Sequence, residues 1–260
     1  MSKAFNEVPV VILCGGQGVV LGESQGQRIN KALVRVNGKP LFWWVVVHYA
    51  QHGAQKFLLP AGLQAEQFHS VLREECGASP DPVQPDTYQV EIAGLKRQLR
   101  VLTTPVEANT AQRLLVCKPL LTHAPRFALT YSDTLSDVDL SAELDFHAAQ
   151  HSVATLVSTQ CPVRFRILGV RQGESVVRAF APQPVIEAAA INGGFYLFTS
   201  KVWDDVDGDT ALETGTLDKL AIQAQLTAFE HRGRWQHCDA ERDLAPLTRI
   251  AQQLSAQLAG

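Results

Sequence analysis

The chain has 260 residues, of which 46% are hydrophobic and 19% charged, with a formal net charge of −3. Such a length buries a sizeable core in one domain, with or without an embellishment. Interspersed acids and bases exclude the basic footprint of a nucleic-acid binder, and no polybasic block or basic amphipathic helix marks a membrane surface.

No charged start followed by a long apolar stretch occurs near Met1, and no segment reaches membrane-spanning length, so a cytoplasmic protein is expected. The five cysteines, at 14, 76, 117, 161 and 238, form no CxxC pair. They read as reduced buried thiols rather than a disulfide set or a zinc site.

In chain order, the first element is an aliphatic strand, Val10-Val11-Ile12-Leu13, which empties into Cys14-Gly15-Gly16-Gln17-Gly18. A buried strand that stops at a glycine turn presents backbone N–H groups to a phosphate. The alternative is a tight turn without ligand. The next residues, Val19 and Val20, supply hydrocarbon where a triphosphate site wants a cation. A dinucleotide fold is disfavoured: the spacing is G-G-x-G, and the second strand ends in Pro60-Ala61-Gly62 with no carboxylate.

Further strands are expected at 56–60, 99–103, 127–131 and 153–159, with helices near 41–52, 64–75, 110–121 and 141–150. This alternation predicts a mainly parallel sheet covered on both faces. Leu33–Val36 reads as a short strand before the turn Asn37-Gly38-Lys39-Pro40, and 77–95 as an irregular insertion or hairpin. Strands follow within 166–172, 175–181 and 193–199, then helices at 216–225 and 243–258. The expected fold is a single α/β domain over 1–260, Rossmann-like, with a mostly parallel (mixed) central sheet and a smaller β-rich C-terminal segment. The pair Trp43-Trp44 belongs either to the core or to a subunit contact.

Two acids stand at strand ends. Asp133, in Tyr131-Ser132-Asp133-Thr134-Leu135-Ser136-Asp137, follows an aliphatic strand and suits a hard cation such as Mg²⁺. An acid here can instead cap the next helix; capping is assigned to Ser136, Asp137 or Ser141, and chemistry to Asp133. Asp239 closes Trp235-Gln236-His237-Cys238-Asp239 and would complete a metal site with Asp133. His237 and Cys238 read as packing residues, because no partner pair stands at zinc spacing.

Taken together, VILCGGQG, NKALVRVNGKPLFWWVVVHYAQHG, YSDTLSDVDL, INGGFYLF and FEHRGRWQHCDAERD resemble the sugar-1-phosphate nucleotidyltransferases, most closely the glucose-1-phosphate cytidylyltransferases. The resemblance runs through nearly the whole chain, with five motifs in the family's order. It implies that Asp133 and Asp239 hold Mg²⁺ and that Lys31 contacts phosphate. It further implies a nucleotide site of Leu13, Gly15, Gly16, Gly18, Gly62, Thr110, Arg113 and Ser132, the base being enclosed by 103–113. Asn192, Gly193, Gly194 and Arg166 would face the acceptor. Residues 1–160 would bind the nucleotide and 161–260 the acceptor.

The chain also departs from the family's pattern. The family's Gly-Thr-Arg-Leu reads Gly18-Val19-Val20-Leu21 here, so the arginine that grips triphosphate is gone. A Glu-Lys-Pro motif reads Pro182-Gln183-Pro184, which removes a lysine for the sugar phosphate. The paired glycines of the base loop are Ala111-Gln112; of two glutamates before the late helix, Glu213 remains and Gly215 replaces the other. Arg28, Arg164 and Arg166 are candidate compensating cations, each with a solvent-exposed alternative. The implied reaction is attack by a phosphorylated sugar on the α-phosphorus of CTP, with pyrophosphate leaving. The rival is a catalytically silent relative that binds a nucleotide or partners an active subunit. Relatives often associate, so a homo-oligomer is left open.

Overall fold

The aliphatic segments that read as buried strands assemble into one sheet, because a strand apolar on both faces needs cover on both sides. The computed structural model describes residues 5–20, 26–162, 167–169, 179–181 and 185–259. Strand β1 (Val10–Leu13) leads through the glycine turn to the short hairpin β2 (Arg35–Val36) and β3 (Lys39–Pro40), then helix α1 (Leu41–Gln51). There follow β4 (Lys56–Ala61), α2 (Ala65–Glu74), β5 (Ser79–Pro80), β6 (Thr87–Ile92) and β7 (Leu95–Thr103). Next come α3 (Thr110–Leu121), β8 (Arg126–Tyr131), β9 (Thr134–Ser136), α4 (Leu140–Gln150) and β10 (Ala154–Pro162). The last third holds β11 (Ile167–Gly169), β12 (Ala179–Ala181), β13 (Val185–Thr199), α5 (Thr216–Ile222), β14 (Leu226–His231), β15 (Trp235–His237) and α6 (Leu244–Ala259).

Among the described residues the main sheet has nine strands in the order β14-β10-β13-β8-β1-β4-β7-β6-β5. β1 lies between β4 and β8, parallel to both, with Val10 opposite Phe57 and Ala128. β13 runs antiparallel between β8 and β10, so the sheet is mixed, as expected. Alternation along β1 sends Val10 and Ile12 to one hydrophobic cluster and Val11 and Leu13 to the other. The 77–95 stretch resolves into the β6–β7 hairpin, turning at Ala93-Gly94. Among the described residues no helix is long and apolar enough to cross a membrane.

One local expectation is decided between its alternatives and one is corrected. Trp43 and Trp44 are only 8% and 4% exposed, and Trp44 Nε1 donates to the Val36 carbonyl at 2.7 Å. α1 is buried along both faces, between the sheet and α6, which puts these rings in the core and not at a subunit contact. Helix α4 is capped by Asp139, whose Oδ1 accepts the N–H groups of Ser141 (2.9 Å) and Ala142 (3.0 Å). Ser136 and Asp137 are used elsewhere: the Ser136 hydroxyl donates to the Arg234 carbonyl, and Asp137 accepts the Arg234 N–H.

Candidate active site

β1 ends at Leu13, and Cys14 bridges to Ala61 of β4, so the glycine turn begins at the carboxyl edge of the sheet. Open α/β folds bind ligands outside that edge. Asn30 fixes the returning chain. Its side chain is 2% exposed and donates to the carbonyls of Cys14 (2.8 Å) and Leu63 (2.7 Å), while Oδ1 caps the Ala32 N–H at 2.9 Å. The adjoining Lys31 is thereby held at the mouth of the turn.

The two acids reach the same place by strand pairing. β9 and β15 pair antiparallel, with Thr134 opposite His237, and Cys238 N donates to the Asp133 carbonyl at 2.9 Å. This ribbon joins segments a hundred residues apart and sets both carboxylates against Lys31. Its Nζ lies 3.3 Å from Asp133 Oδ2 and 2.9 Å from Asp239 Oδ1. His237 lies between the acids, with Nε2 2.9 Å from Asp239 Oδ1 and Nδ1 3.5 Å from Asp133 Oδ1. The ring's expected packing role is therefore corrected; Cys238 is buried, as a packing residue should be.

Two negative and two positive groups in one cluster explain its protonation behaviour. Burial opposes ionisation of Asp133, but His237 and Lys31 outweigh it and hold the carboxyl below its ordinary value. Asp239 is less buried, and the same two cations bring it down to about 2. Burial pulls the other way on the bases. Even so, Asp239 and Asp133 raise Lys31, and Asp133 raises His237. Both carboxylates therefore stay charged at neutral pH.

Leu13, Gly15, Gly16, Lys31, Thr110, Arg113, Ser132 and Asp133 line one cavity of about 260 Å³. Larger cavities, of about 520 and 620 Å³, lie beside Trp235 and near Lys56 and His123, but neither touches the acid pair. Arg113 is 2% exposed; it donates to the Val106 carbonyl at 2.9 Å and to the Thr104 hydroxyl. A Cβ on Gly15 or Gly62 would collide with its guanidinium, so a side chain at either position would push Arg113 off the Thr104 and Val106 oxygens. Arg113 thus braces the turn from below as well as facing the cavity. Gly18 lies at the turn's exit, beside the Ile29 carbonyl.

A second set of polar groups connects β13 to α3. Asn192 Nδ2 donates to the Tyr196 hydroxyl, which is 2.9 Å from the Tyr131 hydroxyl. Tyr131 donates to Glu213 Oε1, and Thr110 donates to Glu213 Oε2 at 2.7 Å. Gly194 N donates back to Asn192 Oδ1 at 3.0 Å, and the Gly193 carbonyl accepts Trp235 Nε1 at 2.8 Å. Burial raises the pKa of both tyrosines, Tyr196 to about 12. The sequence offered no cue for either ring: their partners lie on β8, on β13 and in the turn before α5. Arg164, Arg166 and Gln183 lie outside the described residues.

No family model matches the chain. It is 33% identical over 242 residues to a glucose-1-phosphate cytidylyltransferase of Salmonella typhimurium, covering 90% of this chain and 91% of the relative. The chain belongs to the sugar-1-phosphate nucleotidyltransferase family. A second glucose-1-phosphate cytidylyltransferase, from Salmonella typhi, is 32% identical with the same coverage, 90% and 91%. The solved structure of HddC from Yersinia pseudotuberculosis, complexed with GMP-PN, superposes with a TM-score of 0.63 over 93% of this chain and 98% of that one. At 19% identity that likeness concerns the fold alone. Among the departures from the family's pattern, Val20, at the exit of the turn, is hydrocarbon and 51% exposed.

Proposed function

We propose that the protein is a cytidylyltransferase acting on a sugar 1-phosphate or a related phosphate-bearing acceptor. An acceptor phosphate oxygen attacks the α-phosphorus of CTP, the bond to the β-phosphate breaks, and pyrophosphate leaves. The observation that carries the reading is the meeting of Asp133 and Asp239 at the Lys31 ammonium, beneath a glycine turn. Such a reaction needs positioning and charge stabilisation more than covalent help from the protein. The cytidylyltransferase activity of the relatives named above supports cytidylyl specificity in this reading.

In this reading Lys31 faces the phosphates, the backbone of the 14–18 turn cradles them, and the 103–113 loop with Thr110 and Arg113 encloses the base. Asn192, Gly193 and Gly194 orient the acceptor. Asp133 and Asp239 are the residues that would hold Mg²⁺. The donor set fits: two ionised oxygen ligands already converge on a positive charge, which suits a hard cation. Among the described residues no three His, Cys, Asp or Glu side chains form a ready metal cage; Mg²⁺ bound by two carboxylates usually completes its shell with substrate phosphates and water. When bound, the ion supplies charge neutralisation at the transferring phosphate.

A silent nucleotide binder is favoured by the uncharged, exposed Val20 and by Gln183, which stands where the family's pattern has a lysine. One experiment separates the two readings. The protein is incubated with CTP, Mg²⁺ and a panel of sugar 1-phosphates, and pyrophosphate release is followed. Turnover above background supports the transferase, whereas CTP binding without release supports the silent relative.

A further inference from the structure

We propose that Arg28 is the cation for the outer phosphates of a bound triphosphate, replacing the charge missing after the glycine turn. The ligand's identity rests on the cytidylyltransferase reading; the polyphosphate chemistry rests on the geometry of residues 14–20 and 28–31.

Residues 28–30 are clamped to the turn. Val19 and Ile29 exchange backbone hydrogen bonds of 2.9 Å in each direction, an isolated antiparallel bridge. Arg28 precedes Ile29 in that bridge, and its Nη1 donates back to the Gln17 carbonyl, inside the turn, at 3.1 Å. A guanidinium has five N–H donors. Among the described residues no carboxylate pairs with this one, which is exposed and held by a single backbone carbonyl.

The other end of the same short strap is Lys31, seated on Asp133 and Asp239. Between them Asn30 is extended (φ −62°, ψ 126°) and pinned by its buried side chain to Cys14 and Leu63. The strap therefore carries one cation at each end, Arg28 at the Gln17 carbonyl and Lys31 at the acid pair. A single phosphate engages one of them, whereas a chain of phosphates engages both. Arginine suits the outer position because its planar fork holds two phosphate oxygens at once. Among the described residues an anion there competes with one carbonyl, not with a salt bridge.

The test is calorimetric titration, in Mg²⁺, of the full chain and of Arg28→Ala and Arg28→Lys with CTP, CMP and inorganic tripolyphosphate. Arg28→Ala is expected to weaken CTP and tripolyphosphate by about tenfold or more and to leave CMP within about twofold. Arg28→Lys should recover part of the loss, which also guards against a folding artefact. Equal CTP and tripolyphosphate affinities in the wild type and in Arg28→Ala overturn the proposal, as does an equal loss of CMP. Binding of tripolyphosphate without CTP or CMP defeats the nucleotide reading, yet leaves Arg28 tested by the tripolyphosphate arm. Binding of none of the three by the wild type defeats both.

Discussion

Nε2 of His237 stands 2.9 Å from Oδ1 of Asp239, and the opposite ring nitrogen faces Asp133. One imidazole thus touches both acids that converge on Lys31. A group that orients two ligands affects ion affinity without carrying the ion itself; losing such a contact typically costs about 10–100-fold. His237→Gln should therefore raise the Mg²⁺ concentration needed for half-maximal pyrophosphate release by about that factor. Asp239→Asn should do more, lowering turnover by about 10²–10³. The stability effect has a sign. Because the folded ring binds its proton more tightly than the free side chain, its contribution is full below the ordinary histidine value. It is lost as pH rises through the folded value. The Tm gap between wild type and His237→Gln should be wider at low pH than at high pH, and a gap that widens toward high pH would contradict the pairing.

Val20 predicts a gain of function. Its side chain is 51% exposed at the exit of the turn, so arginine fits there without displacing core. One donor aimed at developing charge is worth about 10²–10³ in rate, although groups acting on one site seldom add fully. Val20→Arg should raise kcat/KM for CTP, read from initial rates of pyrophosphate release. A folded variant with no gain would show that the pocket has been rebuilt around another substrate.

What was legible in the sequence followed from local pattern. The first strand with its turn, the strand–helix alternation to 160 and both strand-end acids depend on neighbours within a few residues. What was missed depends on distant partners. The sequence points to Ser136, Asp137 or Ser141 as the cap; α4 begins at Leu140, so Asp139 stands at the cap position, while Ser136 and Asp137 bond to the Arg234 backbone. His237 looked like packing because nothing in Trp235–Asp239 announces that β15 will pair with β9. The tyrosine chain from Asn192 to Thr110 is invisible for the same reason: it is assembled by sheet order, not by spacing.

That chain gives a separable prediction. Tyr131 is shared between Tyr196 and Glu213, and its ring also packs over Gly194. Tyr131→Phe keeps the ring and removes the hydroxyl, leaving Glu213 one donor short and Tyr196 without its neighbour. Leaving a buried polar group unsatisfied costs about 1–3 kcal/mol, so a lower denaturation midpoint is expected. Asn192 is held through Tyr196, so the acceptor's KM should rise more than the KM for CTP. Equal rises in both would mean that the chain braces the whole fold and not the acceptor strand.

Glu143 provides a test independent of the active site. It lies in the first turn of α4, 1% exposed, and its Oε1 has no hydrogen-bond partner among the described residues. Burial pushes its carboxyl up from 4.5 to about 8, so the folded protein keeps it neutral at pH 7. Unfolding releases the group to ionise near its ordinary value. Between pH 4.5 and about 8 the native state holds the extra proton, and stability falls as pH rises. The slope from this group reaches at most about 1.4 kcal/mol per pH unit, and it flattens once the folded carboxyl also ionises. Glutamine has the same shape and no proton to lose. Its extra N–H groups cost about 1–3 kcal/mol if unsatisfied, but that cost does not change with pH. The Tm of Glu143→Gln should therefore gain on the wild type steadily from pH 5 to pH 8, even where it starts lower. Parallel Tm curves for the two proteins would show that Glu143 is ionised or hydrogen-bonded in the native state.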